Sequence, residues 1–393
     1  MKRLLPLLAI SLLAISMIVA SCSTTNLRVV KINDIIDSLR TQFAPDPRTA
    51  VFDVAVRDSG QFVILRGETD SLAAKFDLLS EVQKVVGENV IDSVRVLPEP
   101  ELGEKVYGIV DVSVGNIYQY PKFESQLVTQ VLLGHWVRVL KEHHGWLYIQ
   151  CEDKYLGWTQ SGVIKRVTSP ELDAYNTKKK LLVTSLYSTI KNGPTKDSGT
   201  ISDAVMADLL MPVQRVGSDF KVELPDGRIG YIPSNDVDYY DRYMSTHKPT
   251  PQGIQTTAEK LIGFPYLWGG TSIKGMDCSG FVKTVFRMNG IHLPRDASQQ
   301  VNVGEKIEAG HNFENLKKGD LLFFGTKAHD GKPEKIVHVA IYLGKGYYIQ
   351  SSSDDRIRIN SLLRTDTAFD KYNLDRYVTA RRILPANEVS SKN

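Results

Sequence analysis

The first hundred residues alternate between hydrophobic patterns of helical and of strand-like period. Apolar side chains three or four positions apart predict one helix around residues 35–39 and another over residues 72–86. Residues 51–56 and 62–65 alternate apolar and polar side chains, which predicts two strands between the helices. A further strand follows the second helix. The pattern therefore predicts a small α/β module over residues 22–100.

Two later stretches, residues 104–175 and 178–244, are dense in short alternating runs separated by Gly, Asp and Pro, which predicts two small all-β barrels. Their strand-like segments recur in the same rhythm, in the first stretch as GHWVRVL, GWLYI and YLGW and in the second as LMPVQRV, FKVEL and IGYI. This recurrence resembles a duplicated bacterial SH3-like domain. The module over residues 22–100 resembles BON-type modules of exported bacterial proteins, and we expect a spacer or binding role for it.

A polar segment with two prolines, residues 245–251, predicts a linker before a last domain over residues 253–385. At 393 residues the chain is too long for one core, so a multidomain α+β protein is expected. The 48 Lys and Arg residues nearly balance the 45 Asp and Glu residues, which gives no support for a nucleic-acid partner.

The N-terminus carries Lys2 and Arg3 before an apolar run over residues 4–20, which is typical of an export signal. The small residues before Cys22 resemble a bacterial lipobox, which implies cleavage after residue 21 and acylation at Cys22. We therefore expect an exported protein that is lipid-anchored to a cell-envelope membrane, on the periplasmic side of an outer membrane. The alternative is a plain secretory signal with an incidental cysteine.

Two further cysteines are present, and they occupy different settings. Cys151 ends an alternating, strand-like run and is expected to be a buried structural thiol. Cys278 stands in the segment DCSGFV, where later apolar residues share one face at helical spacing, so it is expected in the first turn of a buried helix. A helix N-terminus favours the thiolate, the reactive form of cysteine. The alternative for Cys278 is an inert core thiol.

A histidine on a predicted strand makes the catalytic interpretation of Cys278 the stronger one. The segment IVHVAIYL puts His338 and Ala340 on one face of a strand, and Gly344-Lys345-Gly346 can turn the chain back. If those three residues form the loop, Leu343 faces Tyr347 and Ala340 faces Gln350. Gln350 is then a diagonal neighbour of His338, and the three side chains supply a nucleophile, a base and an orienting acceptor.

Four ordered segments carry a more specific resemblance, namely DCSGFV (277–282), LPRDASQQ (293–300), KGDLLFF (318–324) and HVAIYLG (338–344). Their order and spacing resemble those of NlpC-type cell-wall cysteine peptidases. The resemblance implies a papain-like α+β catalytic domain with Cys278 as nucleophile and His338 as base. The third polar residue of the family, commonly His, falls on Gln350, which accepts the imidazole N–H but carries no charge.

Further positions are candidates for substrate contacts. Tyr266, in the matching segment FPYLWGG, could donate its hydroxyl to the oxyanion or the thiolate, or be a packing aromatic. Asp277 and Ser279 flank the nucleophile, where they could cap the helix or bind a substrate ammonium. Barrel 1 supplies Tyr155 and Glu124 as candidates for an N-terminal ammonium, although the glutamate of the family could instead align with Gln126.

Two SH3-like modules before such a domain resemble exported γ-D-glutamyl-L-diamino-acid endopeptidases, which implies cleavage between D-Glu and diaminopimelate in peptidoglycan stem peptides with a free N-terminal L-Ala. Alternatives are a wall-binding lipoprotein with an inactive peptidase domain, which the uncharged Gln350 keeps open, and an amidase or acyltransferase on the same scaffold. The remaining histidines show no metal-ligand spacing, so neither a metal nor another cofactor is expected. We expect the protein to be a monomer.

Overall fold

The computed structural model describes residues 27–384, which fall into two compact units that divide after Gly103. The predicted export signal and Cys22, the predicted site of acylation, lie outside the described residues. No helix between residues 27 and 384 combines the length and the apolar character needed to cross a bilayer.

The first unit is a three-stranded sheet covered by two helices. Its elements are α1 (27–43), β1 (Phe52–Ser59), β2 (Phe62–Thr69), α2 (Leu72–Val86) and β3 (Val90–Val96). β1 and β2 form an antiparallel hairpin, and β3 lies parallel to β2 because α2 crosses over between them.

The apolar face of α2 differs from the one that the hydrophobic spacing suggests. Ala74, Leu78 and Val82 are buried against the sheet, whereas Leu72 and Phe76 project to solvent and are 66% and 73% exposed. Alanine at position 74 lets the helix backbone approach the sheet, so the buried row runs through residues four positions apart.

Two barrels open the second unit, each followed by a helix. Barrel 1 consists of β4 (Tyr107–Val110), β5 (Val114–Tyr118), β6 (Leu127–Leu132), β7 (Trp136–His143), β8 (Trp146–Cys151), β9 (Leu156–Gln160) and β10 (Ile164–Val167), with α3 (Ser169–Asn176) after it. Barrel 2 consists of β11 (Leu181–Val183), β12 (Tyr187–Lys191), β13 (Thr200–Val205), β14 (Leu209–Val216), β15 (Asp219–Glu223), β16 (Ile229–Pro233) and β17 (Val237–Tyr239), with α4 (Tyr240–Thr246) after it.

The two barrels have the same strand order. Counting strands within each barrel, the neighbours run seventh, first, fourth, fifth, sixth, second and third in both sheets. This is the topology that duplication of one domain produces, in line with the repeated three-strand rhythm of the sequence.

The connection to the last domain is shorter than the predicted linker. α4 continues to Thr246, and α5 (Pro251–Glu259) begins with proline in its first turn. The side chain of Thr250 caps α5 by accepting a hydrogen bond from the Gly253 amide, so only residues 247–250 connect the two helices.

The C-terminal domain is built on a six-stranded sheet, with α6 (Cys278–Arg287) packed against one face and Leu374 of α8 (Lys371–Asp375) against the other. Its elements after α5 are β18 (Thr271–Ser272), β19 (Gly275–Met276), α6 (Cys278–Arg287), α7 (Ala297–Gln300), β20 (Glu305–Ile307), β21 (Leu321–Thr326), β22 (Lys335–Gly344), β23 (Tyr347–Ser351), β24 (Ile357–Ser361), α8 (Lys371–Asp375) and β25 (Tyr377–Arg382). The sheet order is β20-β25-β21-β22-β23-β24, so β22 lies well inside the sheet. The apolar face of α6, with Phe281 and Val285, packs in one core with Val339 and Ile341 of β22.

Candidate active site

Helix α6 begins at Cys278 because Asp277 caps it. The Asp277 Oδ1 atom accepts a hydrogen bond of 2.7 Å from the Gly280 amide, which would otherwise lack a partner in the first turn. Glycine is required at position 280, since a Cβ atom there would lie 2.0 Å from the carbonyl oxygen of Gly270. The start of the nucleophile helix is therefore pressed against the segment that precedes β18.

A buried arginine fixes the cap. Arg295 is 1% exposed, and its Nη2 atom donates to Asp277 Oδ2 at 2.6 Å while Nη1 donates to Ser279 Oγ at 2.9 Å. The second oxygen of Asp277 also accepts a hydrogen bond from the Gly269 amide at 2.9 Å. The sequence placed Arg295 in a family segment without giving it a role.

These contacts favour the capping alternative for Asp277 and Ser279. Both side chains are buried, and both are hydrogen-bonded to Arg295 and to the start of α6. The Asp277 carboxylate is thus already paired with a cation, which argues against its serving as the receptor for a substrate ammonium.

His338 and Gln350 meet across the hairpin of β22 and β23. The Nε2 atom of His338 lies 2.6 Å from Oε1 of Gln350. The amide nitrogen of Gln350 donates to Asn360 Oδ1 at 2.8 Å and to Asp370 Oδ2 at 3.2 Å, which leaves its carbonyl oxygen facing the imidazole. Because Gln350 accepts from Nε2–H, the basic lone pair of the neutral imidazole is on Nδ1.

The hairpin has the predicted register along the strands but a different turn. Ile341 pairs with Ile349 and Tyr342 with Tyr348, the register that brings Gln350 to the imidazole. The expected pairing of Leu343 with Tyr347 is wrong, since Gly344 pairs with Tyr347 and a bulge lies between Tyr342 and Gly344. The bulge absorbs one residue and leaves a tighter turn, so the loop is shorter than the three residues expected.

Cys278 lies beside His338 through the packing of α6 on β22. The backbone amide of Val339, the residue after His338, donates a hydrogen bond to the Cys278 sulfur. Only 7% of Cys278 and 7% of His338 is exposed, so both groups react in a largely desolvated setting. The structure therefore packs the Cys278 thiol against the strand that carries His338, and it brings the imidazole into contact with the Gln350 amide.

Burial sets the protonation states of this pair. It raises the pKa of the Cys278 thiol to about 12, with a further rise from the Asp277 charge that the Val339 and Ser279 amides oppose. Burial also lowers the pKa of His338 to about 4, although the hydrogen bond that the imidazole donates to Gln350 acts to raise it. The helix N-terminus was expected to favour the thiolate, and desolvation acts in the opposite direction. Burial favours the neutral form of both the thiol and the imidazole.

Tyr266 is half-buried next to the nucleophile. Burial, followed by the nearby Cys278 and Asp277 charges, raises the pKa of its phenol. Among residues 27–384, neither the Tyr266 hydroxyl nor the Cys278 backbone amide has a hydrogen-bond partner. Two donors next to the sulfur are thus available to an oxygen that develops negative charge during attack by sulfur.

Barrel 1 reaches the nucleophile helix at several points. The Tyr155 hydroxyl donates to Asp296 Oδ2 at 2.9 Å, and Lys283 of α6 forms an ion pair with Asp153. Gln130 of β6 accepts hydrogen bonds of 2.9 Å from the amide of Thr271 and the hydroxyl of Ser272. Tyr155 is accordingly a buried bridge between domains, and Asp296, to which the sequence gave no role, is its partner.

Glu124 lies in a different environment. It is exposed in the turn between β5 and β6, where its side chain has no hydrogen bond or ion pair with the other described residues. Gln126, the alternative position, is exposed in the same connection. Across the described part of the chain, no group of three or more His, Cys, Asp or Glu side chains is arranged to hold a metal ion.

A thiol at a capped helix start, packed against a sheet that carries an imidazole and its polar partner, defines a papain-like hydrolase site. Residues 263–382 match the NlpC/P60 family model, and residues 117–162 match the model described as "Bacterial dipeptidyl-peptidase Sh3 domain". The chain belongs to the NlpC/P60 family, as the four sequence segments predicted.

The relatives share both regions. The chain is 30% identical over 270 residues to a γ-D-glutamyl-L-lysine dipeptidyl-peptidase of Bacillus cereus, which covers 66% of this chain and 76% of that protein. It is 28% identical to dipeptidyl-peptidase 6 of Lysinibacillus sphaericus over 65% of this chain and 91% of that protein. A crystal structure of an NlpC/P60 family protein from Bacillus cereus covers 71% of this chain and all of its own, with a TM-score of 0.61 and 25% identity. That match is long enough to extend beyond the C-terminal domain into the barrels.

Proposed function

We propose that this protein is a cysteine endopeptidase that hydrolyses the bond between the γ-carboxyl of D-Glu and the diamino acid of peptidoglycan stem peptides. The observation that carries the proposal is the His338–Gln350 contact of 2.6 Å beside the capped thiol of Cys278. The relatives named as γ-D-glutamyl-L-lysine dipeptidyl-peptidases support the choice of bond.

The proposed reaction begins with proton transfer from the Cys278 thiol to Nδ1 of His338 as the sulfur attacks the γ-amide carbon. The Cys278 amide and the Tyr266 hydroxyl donate to the oxyanion. The imidazolium then protonates the leaving nitrogen, the C–N bond breaks, and an acyl thioester remains on Cys278. His338 next takes a proton from water, whose oxygen attacks the thioester, and the expelled sulfur recovers that proton.

The direction of both pKa shifts favours proton transfer that is concerted with attack by the sulfur. With a thiol pKa of about 12 and an imidazole pKa of about 4, a thiolate–imidazolium pair is not the stable resting form. The attack therefore draws on His338 as a general base during bond formation rather than on a preformed thiolate. Gln350 holds the imidazole so that Nδ1 keeps its lone pair for this step.

The preference for a free N-terminal L-Ala rests on the contact between barrel 1 and the C-terminal domain. An ammonium group needs an anionic partner when it is taken out of water. Asp296 is the carboxylate at that junction; it accepts from Tyr155 at 2.9 Å, caps α7 and lies 3.9 Å from Arg295, so an ammonium would join these partners. Glu124 is a second candidate for this contact, and it lies in the exposed turn between β5 and β6.

The deciding experiment is a digest of purified muropeptides with the wild-type protein and with Cys278→Ala, analysed by mass spectrometry. The wild type should release L-Ala-γ-D-Glu, and N-acetylated peptides should be poor substrates. Cys278→Ala should be inactive while Cys151→Ala, which removes the other described thiol, stays active. Binding of wall peptides without cleavage would indicate an inactive binder, and release of other bonds would indicate an amidase or acyltransferase.

We also propose that the protein is exported and anchored through an acylated Cys22, with residues 22–100 as a spacer or binding module between the membrane and the barrels. The basic and apolar pattern of the first 21 residues supports export. Incorporation of labelled palmitate into the wild type but not into Cys22→Ala would support the anchor. Equal labelling of both would contradict it.

A further inference from the structure

A cavity of about 260 Å³ opens beside the catalytic base and is not explained by the steps above. His338 and Gln350 form part of its wall, and the rest comes from β24, α8 and the loops that flank them. In the proposed reaction His338 protonates the leaving amine from Nδ1, and the same imidazole forms part of the wall of this cavity. The charges that line it therefore bear on which diamino acid is accepted.

Two charged side chains of the cavity are already paired within the protein. Arg358 donates to Asp355 at 2.7 Å and to Asp354 at 2.9 Å. The Asp370 carboxylate accepts from the Tyr348 hydroxyl at 2.7 Å and from the Asn373 side chain at 2.8 Å. Neither group is available to a ligand without breaking these contacts.

Arg376 differs from both. Its Nε atom donates to Asn373 Oδ1 at 3.0 Å, and its guanidinium lies 4.3 Å from the centre of the Tyr372 ring. Considering the described residues alone, its two terminal amino groups have no hydrogen-bond acceptor and no carboxylate within ion-pair distance. A guanidinium that is hydrogen-bonded through Nε keeps the N–H groups of its two terminal nitrogens in one plane. A carboxylate can accept two parallel hydrogen bonds from such a group.

The position of Arg376 is fixed relative to the base. The same Asn373 side chain that accepts from Arg376 donates to Gln350 Oε1 at 3.0 Å, and that oxygen accepts from His338. The chain of contacts from the imidazole to the guanidinium is continuous. Arg376 is thus held at a fixed position on the Nε2 side of the base, through Asn373 and Gln350.

We propose that Arg376 binds a free carboxylate of the diamino acid that is released, so that the enzyme selects leaving groups which carry that carboxylate. The inference rests on the proposed function and deepens it. Two carboxylates have this chemistry: the α-carboxylate of a diamino acid at the end of the peptide, and the side-chain carboxylate that diaminopimelate has and lysine lacks.

The test compares kcat/KM for L-Ala-γ-D-Glu peptides ending in meso-diaminopimelate with both carboxylates free, with the α-carboxylate amidated, or with the side-chain carboxylate amidated. Wild type, Arg376→Gln and Arg376→Lys are measured, with Arg364→Gln as a control that removes an exposed arginine of the same domain outside the cavity wall. Loss of a charge-assisted contact corresponds to a fall of about 10- to 100-fold.

We expect amidation of one of the two carboxylates to lower the wild-type kcat/KM by this factor. The carboxylate whose amidation has this effect is the one that Arg376 binds. Arg376→Gln should show the same fall with the free substrate and no further fall on amidation. Arg376→Lys should retain part of the preference, and Arg364→Gln all of it. A general effect of Arg376 on His338 would lower kcat/KM for every substrate alike, and that result would overturn the inference.

Two other outcomes separate the inference from the proposed function. If the wild type cleaves all three peptides equally, the inference fails and the proposed function stands. If no γ-D-Glu peptide is cleaved, the proposed function fails. The carboxylate-binding role of Arg376 is then tested by calorimetry, which measures the affinity of the wild type and of Arg376→Gln for meso-diaminopimelate and for its diamide. Tighter binding of the diacid that is lost in Arg376→Gln would support the inference, and equal binding to both proteins would overturn it.

Discussion

The imidazole of His338 lies in an environment that favours its neutral form. Burial lowers its pKa to about 4, and the nearby Arg376 charge acts in the same direction. Gln350 orients the ring by a hydrogen bond but supplies no negative charge to stabilise an imidazolium. A neutral third residue is therefore compatible with a base that works at low pH.

This environment predicts the acid limb of the pH profile. His338 has to be neutral to accept the thiol proton, so activity is lost only as pH falls through its pKa. We expect kcat/KM for a γ-D-Glu peptide to fall with a midpoint near pH 4 rather than near 6.5, the ordinary value for histidine. The measurement is the pH profile under steady-state conditions, and a midpoint near 6.5 would show that the imidazole is not desolvated as described.

At the scale of elements, the nucleophile is positioned by the start of α6. The helix begins where Asp277 caps it, and Gly280 allows its first turn to touch the Gly270 carbonyl. Because the contact at position 280 is with backbone, a side chain there displaces the helix start instead of rotating away.

We therefore expect Gly280→Ala to reduce stability by about 1–3 kcal/mol, the usual cost of overpacking, and to lower kcat by moving the sulfur. Gly162→Ala is the matched control, since a Cβ atom there meets nothing within 4 Å. Denaturant unfolding and kcat are measured for both variants. A Gly280→Ala protein as stable and active as the control would mean that the close approach to Gly270 does not fix the nucleophile.

The elements of the site were predictable where one local pattern decides them. Helical spacing after Cys278 indicated α6, and alternation around His338 indicated β22, so the register with β23 followed from side-chain period. The bulge between Tyr342 and Gly344 was not predictable, since a turn of two residues and one of three fit the same glycines. Burial of Arg295 was missed because its partner Asp277 lies 18 residues away.

At the scale of the whole molecule, the barrels and the C-terminal domain form one compact unit. Lys274, in the hairpin before the nucleophile helix, contacts Ser113 of barrel 1 at 2.9 Å and Asp203 of barrel 2 at 2.8 Å. Contacts of this kind join residues far apart in sequence, such as Tyr155 and Asp296, which are separated by 141 positions. Hydrophobic patterning predicts helices and strands within a domain, but it contains no information on which side chains meet between domains.

The division after Gly103 predicts that the second unit is self-sufficient. A chain beginning at residue 104 should fold, and its kcat/KM on soluble peptides should equal that of the chain from residue 27, because every catalytic contact described lies within the second unit. Circular dichroism and peptide hydrolysis measure the two properties. A large loss of activity in a folded shorter chain would show that residues 27–103 contribute to the site.

The most direct measurement of covalent catalysis by Cys278 is intact-protein mass spectrometry of the enzyme mixed with a γ-D-Glu peptide and quenched in acid. The predicted result is a transient adduct of the L-Ala-γ-D-Glu acyl group, located on Cys278 by fragmentation and absent from His338→Ala, which lacks the base for attack. Turnover without any adduct on Cys278, or an adduct at another residue, would contradict the assignment of the nucleophile.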